Sequence, residues 1–320
     1  MKKVILFVAI FSFHLWAIGA RPLSMGNAFV AVVDDIHSIF YNPAGIANIK
    51  AMEATSMRVL NNRDSMNFKE WIAMCNEMKE GGMGGGYIHR VDWEGYADLD
   101  KDGEKDDNEP HLALDNDIAI FTIGGYGQGM LKKTGFGVNI RRYASSLMRS
   151  WGIETGGAKF SELGKKQSAI GVDIGILHNF NKNISFGFAI YDLNEPKLEF
   201  ENLNIENMLY DLTVKNPLTV VGGVALKPDN KTIVAIDFYG LNNINDWYAE
   251  DEDKREQSSI RLGFEREVLP YLAVRGGFYG KGFITAGIGI KTKNIRLDYG
   301  IMEDDNLGFH LISLTISKPH

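Results

Sequence analysis

Large apolar residues alternate with glycine, small or charged residues along most of the chain after about residue 51. Between residues 169 and 176, β-branched residues at the even positions alternate with Ala, Gly, Asp and Gly at the odd positions. The same period of two returns in 135–141, 184–191, 260–265 and 295–301. Because successive side chains of a strand point to opposite faces, this pattern predicts strands with one large apolar face and one small or charged face.

Turn-forming residues divide the pattern into about fourteen strands, and an even number is typical of bacterial single-chain barrels. The predicted strands are 51–60, 66–77, 82–91, 113–126, 131–146, 166–180, 183–193, 213–226, 231–240, 257–267, 271–280, 283–291, 294–302 and 307–318.

The connections between these strands fall into two classes that alternate along the chain. Every second one is short, such as 181–182, and the others include the long stretches 92–112, 147–165, 194–212 and 241–256. Outer-membrane barrels have short periplasmic turns and longer extracellular loops, whereas a two-sheet sandwich has no reason to keep this alternation. We therefore predict an all-β fold, in which residues 51–320 form a transmembrane antiparallel β-barrel of about 14 strands.

Glycine and charge then refine the picture of the smaller strand face. The chain has 35 glycines among 320 residues, and they concentrate on that face. A glycine-rich lumen leaves room for an internal plug or a ligand passage. The charged residues on the same face are expected to lie in water or to pair with one another; they are Arg141, Asp173, Arg261, Glu265, Arg296 and Asp298.

Residues 1–20 have the pattern of a signal peptide. Lys2 and Lys3 precede an apolar run from Val4 to Ile18, and small residues follow at the expected cleavage position after Gly19 or Ala20. A transmembrane anchor is the alternative, but the run is short of the roughly 20 residues that span a bilayer. We expect export to the cell outer membrane.

Composition excludes several other classes of protein. The net charge of −7 argues against a nucleic-acid partner, which normally requires a basic face. A single cysteine, Cys75, excludes a disulfide framework and a cysteine-rich zinc site. No arrangement of nucleophile and base can be argued from the sequence, so we do not expect an enzyme.

The segment before the first predicted strand has a distinct character. Residues 25–33 are small and apolar, and Asp34 and Asp35 are suited to cap a short helix after them. Asn42-Pro43-Ala44-Gly45 is typical of a turn or a helix start.

This stretch, Arg21 to Ala47, resembles the N-terminal signature of the FadL-like outer-membrane barrels, most closely their PorV/PorQ-like and UPF0164-like members. Later repeats, such as 171–175 and 297–300, are similar to that superfamily in the same order. The resemblance implies a fourteen-stranded barrel in which residues 21–50 fold into the lumen as a helical plug or hatch. It also implies a functional role for the hatch motif, Asn42, Pro43, Ala44 and Gly45.

Two functions follow from that resemblance, and the sequence leaves both open. The first is passive transport of hydrophobic small molecules through a plugged barrel. The second is a PorV-like component that docks secreted or surface proteins at the cell envelope, and a purely structural envelope protein is a third reading. The expected partners are outer-membrane lipid, together with hydrophobic small molecules or secreted proteins.

Residues 98–109 match the twelve-residue calcium loop D-x-[DN]-x-[DN]-G-x5-E. Gly103 supplies the sharp turn that such loops need, although Lys105 stands where an apolar residue normally packs and Pro110 follows the loop. An acidic, solvated loop is the alternative to a Ca²⁺ site. The expected oxygen ligands are Asp98, Asp100, Asp102, Glu104 (through its backbone carbonyl), Asp106 and Glu109.

Overall fold

The computed structural model describes residues 4–5, 18–61, 69–96, 111–151, 159–205, 208–243, 259–280, 282–303 and 309–319. The predicted calcium loop, 98–109, and most of the predicted signal peptide lie outside these residues. Among the described residues, none forms a helix long and apolar enough to cross a membrane.

Fourteen antiparallel strands close into a single barrel, as the period-two pattern predicts. Each barrel strand pairs with the next barrel strand along the chain, and the last pairs with the first to close the ring. The barrel strands are β2 (Ala51–Asn61), β3 (Lys69–Met78), β4 (Gly81–Tyr96), β5 (His111–Tyr126), β6 (Thr134–Trp151), β7 (Lys159–Asn179), β8 (Ile184–Tyr191), β11 (Thr219–Asp229), β12 (Thr232–Tyr239), β13 (Ser259–Leu269), β14 (Leu272–Tyr279), β15 (Phe283–Lys291), β16 (Ile295–Glu303) and β17 (Phe309–Pro319).

A hairpin interrupts the barrel between β8 and β11, and the sequence did not predict it. Its strands are β9 (Lys197–Ile205) and β10 (Met208–Lys215), so the predicted strand 213–226 began too early. The two-residue strand β1 (Val4–Ile5) pairs in parallel with β10. Buried apolar side chains of the hairpin, including Phe200 and Leu212, join the apolar cluster inside the barrel.

The two faces of the strands differ as predicted. Outward-facing residues are large, apolar and exposed, such as Phe136 and Ile140 on β6, at 40% and 49% exposure. Inward-facing residues between them are glycine or buried polar groups, such as Asn139 and Arg141. We call the end of the barrel with the connections 79–80, 180–183 and 292–294 the short-turn end, and the opposite end the long-loop end.

Residues 18–50, which we call the N-terminal segment, are almost entirely buried and contact strands on several sides of the barrel. Most of the segment is irregular. Its regular elements are α1 (Ala20–Ser24), α2 (Ser38–Tyr41) and the 3-10 helix η1 (Pro43–Asn48), and a second 3-10 helix, η2 (Gly129–Leu131), lies in a short turn.

Candidate functional site

Inward-facing glycines allow the N-terminal segment to approach the strand backbones closely. A Cβ atom added to Gly137 on β6 would lie 2.2 Å from the carbonyl carbon of Pro43. A Cβ atom on Gly187 of β8 would lie 2.1 Å from the carbonyl oxygen of Val30. Both distances are too short for real carbon atoms, so only glycine fits. Other glycines with the same relation to the segment are Gly82, Gly175, Gly263, Gly277 and Gly300.

Asn42 ties together three parts of the molecule through its fully buried side chain. Its Oδ1 accepts a hydrogen bond from the backbone N–H of Ala44 (3.1 Å), which caps η1. Its Nδ2 donates to the carbonyl oxygens of Val30 (2.9 Å) and of Ile176 on β7 (3.0 Å). Asn42 therefore holds η1, the middle of the N-terminal segment and the barrel wall in one arrangement.

The rest of the predicted hatch motif is placed beside Asn42. Pro43 begins η1, where its missing N–H costs no hydrogen bond. Ala44 is fully buried, and a Cβ on Gly45 would lie 2.5 Å from Cβ of Val33. The motif thus packs the end of the segment against itself and against β6 and β7, while its functional role stays a prediction.

Asp237 on β12 supplies a further anchor that the sequence did not indicate. Its Oδ2 accepts hydrogen bonds from the backbone N–H groups of Phe29 (2.6 Å) and Val30 (2.9 Å). Since these donors lie in an irregular part of the segment, the carboxylate satisfies groups that no helix would pair.

A closed ring of three arginines and three carboxylates joins the N-terminal segment to the barrel wall. Arg21 and Asp35 belong to the segment, and the other four members project inward from β13, β14 and β16. Each member contacts the next, and opposite charges alternate around the ring. The order is Arg21, Glu265, Arg275, Asp298, Arg296, Asp35 and back to Arg21.

The contacts from the segment to the wall are short and charge-assisted. Arg21 donates through Nε and Nη2 to both carboxylate oxygens of Glu265, each at 2.8 Å, and through Nη1 to Asp35 at 2.7 Å. Arg296 donates to the same Asp35 oxygen, Oδ2, at 2.6 Å. Bidentate pairing of this kind fixes the orientation of the two side chains and strengthens their interaction.

Two members of the ring stay charged despite full burial. Burial by itself would lower the pKa of Arg21, but Asp34, Glu265 and Asp35 raise it well above its ordinary value. Burial would likewise raise the pKa of Asp35, but His37, Arg296 and Arg21 hold it well below its usual range. Arg21 and Asp35 are therefore charged at neutral pH, and losing either would leave an uncompensated charge in the interior.

This arrangement replaces the predicted helix cap. The N-cap of α2 is His37 and makes no side-chain cap hydrogen bond. Asp35 instead accepts from the backbone N–H of His37 (3.0 Å) while pairing with Arg21 and Arg296. Asp34 contacts Arg21 at 2.7 Å and Lys227 at 3.5 Å.

The six predicted lumen charges are all placed on the inner face, and five of them form ion pairs. Arg141 pairs with Asp173 at 2.6 Å, apart from the ring. Glu265, Arg296 and Asp298 belong to the ring. The remaining charge, Arg261, has its guanidinium carbon 3.8 Å from the ring centroid of Tyr239 and 4.8 Å from that of Tyr279.

The ring adjoins a cavity of about 750 Å³ at the short-turn end of the barrel. Its walls include Arg21, Asp35 and Arg296, and its outer margin includes Lys182 and Lys293 from the short turns. The ring thus lies where the N-terminal segment separates this polar cavity from the rest of the interior.

The long-loop half of the interior holds many large apolar side chains, beside buried polar residues such as Arg90, Asn116 and Ser145. Inward-facing residues of β5, β6 and β7 meet buried residues of the hairpin β9–β10 there. The apolar residues in this region are Leu112, Leu114, Ile118, Leu147, Leu163, Leu198, Phe200, Leu203 and Leu212. Within the part of the chain that the structure describes, no group of three or more His, Cys, Asp or Glu could hold a metal ion.

Comparison with known proteins adds a clear likeness in fold. No protein-family model matches the chain, and no curated protein does. Among solved structures, the toluene transporter TbuX of Ralstonia pickettii is similar over 96% of this chain and all of its own, with a TM-score of 0.64 and 13% identity.

Two further solved structures give the same result. A Pseudomonas aeruginosa FadL homologue covers 94% of this chain and 98% of its own, with a TM-score of 0.62 and 8% identity. The P. putida toluene transporter TodX covers 96% and 99%, with a TM-score of 0.59 and 13% identity. The fold is a fourteen-stranded antiparallel barrel like those of these solved structures. The predicted closeness to PorV/PorQ-like and UPF0164-like proteins is not shown by these likenesses.

Proposed function

We propose that the chain is an outer-membrane channel for passive transport of hydrophobic small molecules, with the N-terminal segment as a plug in its lumen. The observation that carries the proposal is the fit between that segment and a glycine-lined wall, locked by the ionic ring. The channels of similar fold include toluene transporters, which is consistent with this reading. Transport, rather than catalysis, is the activity that this arrangement supports.

The polarity of the interior favours hydrophobic cargo. Water-filled porins have polar lumens, whereas leucine, isoleucine and phenylalanine form a large part of the lining in the long-loop half of this barrel. Apolar solutes gain free energy by entering such a surface. The outward-facing belt of large apolar residues suits the same protein to a lipid bilayer, after export directed by residues 1–20.

Within this proposal the hatch motif sets the closed position of the plug. Asn42 bonds to Val30 and to the wall at Ile176, so movement of the segment has to break both contacts. Docking of secreted or surface proteins, as in PorV-like proteins, remains the alternative function, and no contact described above favours it.

We also propose that residues 98–109 bind Ca²⁺, from their sequence alone. The loop connects β4 and β5 on the long-loop side, where extracellular Ca²⁺ is available for a weak site. Calorimetry on the purified barrel should show one saturable site that is lost in Asp98→Ala and in Glu109→Ala. Equal, non-saturating heats in all three proteins would leave only an acidic loop.

Uptake by whole cells tests the transport function. A bacterial host that lacks its own hydrocarbon channel should take up radiolabelled toluene or a long-chain fatty acid faster when it makes this protein. A hydrophilic sugar of similar size should not enter faster, because the lumen is plugged and partly apolar. Unchanged uptake of both hydrophobic probes, with the barrel present in the outer membrane, would contradict the proposal.

A further inference from the structure

Exposed lysines mark nearly every strand junction at the short-turn end of the barrel. There are seven such junctions, counting the one where β17 meets β2. Six of them carry an exposed lysine whose ammonium group has no ion pair or hydrogen bond among the described residues. We call these six residues the lysine rim: Lys50, Lys79, Lys132, Lys182, Lys231 and Lys293.

The lysine rim borders the apolar outer belt. The outward-facing residues next to the rim are large and exposed, such as Phe180 at 57% and Ile295 at 47%. The seventh junction, between β13 and β14, has Tyr271, which is 57% exposed. Tyrosine and lysine at the edge of an apolar belt are the residues that settle at a membrane interface.

Few acidic groups balance the rim. Glu77 and Glu80 are exposed near Lys79. Asp229 lies 3.6 Å from Arg266 and Glu267 lies 3.4 Å from Lys291, so these two are already paired. The whole chain carries a net charge of −7, so the cations at this end do not come from a general excess of basic residues.

We propose that the lysine rim binds the headgroups of anionic phospholipids in the inner leaflet of the outer membrane. Phosphate is the ligand that exposed ammonium groups at this level meet, and each adds to the attraction of an anionic lipid surface. An acidic protein would need its cationic contacts on one contiguous patch. Lys182, Lys231 and Lys293 border the cavity mouth, but Lys50, Lys79 and Lys132 continue the rim around the barrel away from it. The inference rests on the proposed function, because it assumes that the short-turn end faces the periplasm.

Lipid selectivity tests the inference directly. The barrel is reconstituted in phosphatidylcholine vesicles with a trace of spin-labelled phosphatidylglycerol or spin-labelled phosphatidylcholine, and spin resonance gives the relative association of the two lipids. We expect the wild type to prefer phosphatidylglycerol by about threefold to fivefold. High salt should reduce this preference, because it screens exposed charges.

Matched variants locate the preference. Lys50→Gln, Lys79→Gln and Lys132→Gln together, which lie away from the cavity, should reduce it, and all six rim substitutions should bring it close to one. The control carries Lys165→Gln and Lys197→Gln, which are exposed on the long-loop side, and should keep the wild-type value.

The outcomes separate this inference from the proposed function. If the barrel inserts and transports hydrophobic solutes but shows no lipid preference, only the inference that the lysine rim binds lipid is overturned, and an acidic protein partner is favoured. A preference that survives all six substitutions also overturns it. Failure to insert into a bilayer at all would overturn both proposals.

Discussion

Arg21 shows how a single residue can join two parts of a molecule. Its guanidinium is buried and contacts Glu265 on the barrel wall as well as Asp34 and Asp35 in its own segment. No other type of side chain could satisfy these carboxylates together, because only a guanidinium offers five donors in a fixed plane.

We expect Arg21→Gln to destabilise the protein by about 3 kcal/mol, since it leaves buried carboxylates short of a cation. Arg21→Lys should recover only part of that loss, because an ammonium cannot pair in bidentate fashion. Urea unfolding in detergent measures the change. Arg142→Gln is the control, because Arg142 is exposed on the outer face of β6. If Arg21→Gln unfolds with the same free energy as this control, the ring does not stabilise the fold.

Asp192, in the connection after β8, should make stability depend on pH. It is 6% exposed and accepts a hydrogen bond from the Tyr143 hydroxyl at 2.7 Å. Burial raises the pKa of Asp192 to about 6, and nearby Arg141 offsets only part of that rise. The folded pKa thus lies above the unfolded value of about 3.9, so its stabilising effect is complete below pH 4 and is lost as the pH rises through 6.

The unfolding free energy of the wild type should therefore fall by about 2 kcal/mol between pH 4 and pH 7, and Asp192→Asn should abolish this fall. Asparagine suits the site because it tolerates the positive φ of 49° and can accept the same hydrogen bond. Glu195→Gln, exposed in the same connection, should keep the fall. Thermal melts across this pH range give the comparison, and identical profiles for wild type and Asp192→Asn would refute the assignment.

At the scale of elements, glycines on the inward faces of the strands leave the space that the N-terminal segment occupies. Gly137→Ala places a methyl group within 2.2 Å of Pro43, so η1 or β6 must move. We expect a loss of about 1–3 kcal/mol, which is typical of overpacking. Gly276→Ala, on the outward face of β14, meets nothing closer than 3.9 Å and is the matched control. The melting temperatures of the two variants measure the difference. Equal values would show that the N-terminal segment does not press on the wall at β6.

The sequence predicts the strands far better than it predicts the side-chain contacts that join the N-terminal segment to them. Period two is a local signal, so fourteen strands emerge from short windows of sequence. The pairing of Arg21 with Glu265 joins residues 244 positions apart, and nothing in either neighbourhood indicates the other. The sequence does not predict the hairpin β9–β10, because the apolar alternation at Leu198 and Phe200 is short and lies within the long connection 194–212.

At the scale of the whole molecule, the barrel closes without help from the N-terminal segment. Hydrogen bonds between β17 and β2 complete the ring of strands, and the segment adds no strand to it. Residues 24–40 can therefore be removed while every barrel strand keeps both of its neighbours. The segment and the hairpin β9–β10 then remain as two separate candidates for what closes the lumen.

Deletion of residues 24–40 should convert a silent protein into a conducting one. In planar bilayers we expect no stable current from the wild type, brief openings from Arg21→Gln, and a persistent, ohmic conductance from the deletion. Replacing 197–215 with a short glycine-serine link should leave the bilayer silent, because the N-terminal segment keeps its contacts with the strands. Circular dichroism would verify that the strand content of each variant is retained. A deletion variant that keeps its strands and stays silent, or a hairpin replacement that conducts, would show that the N-terminal segment is not the element that closes the channel.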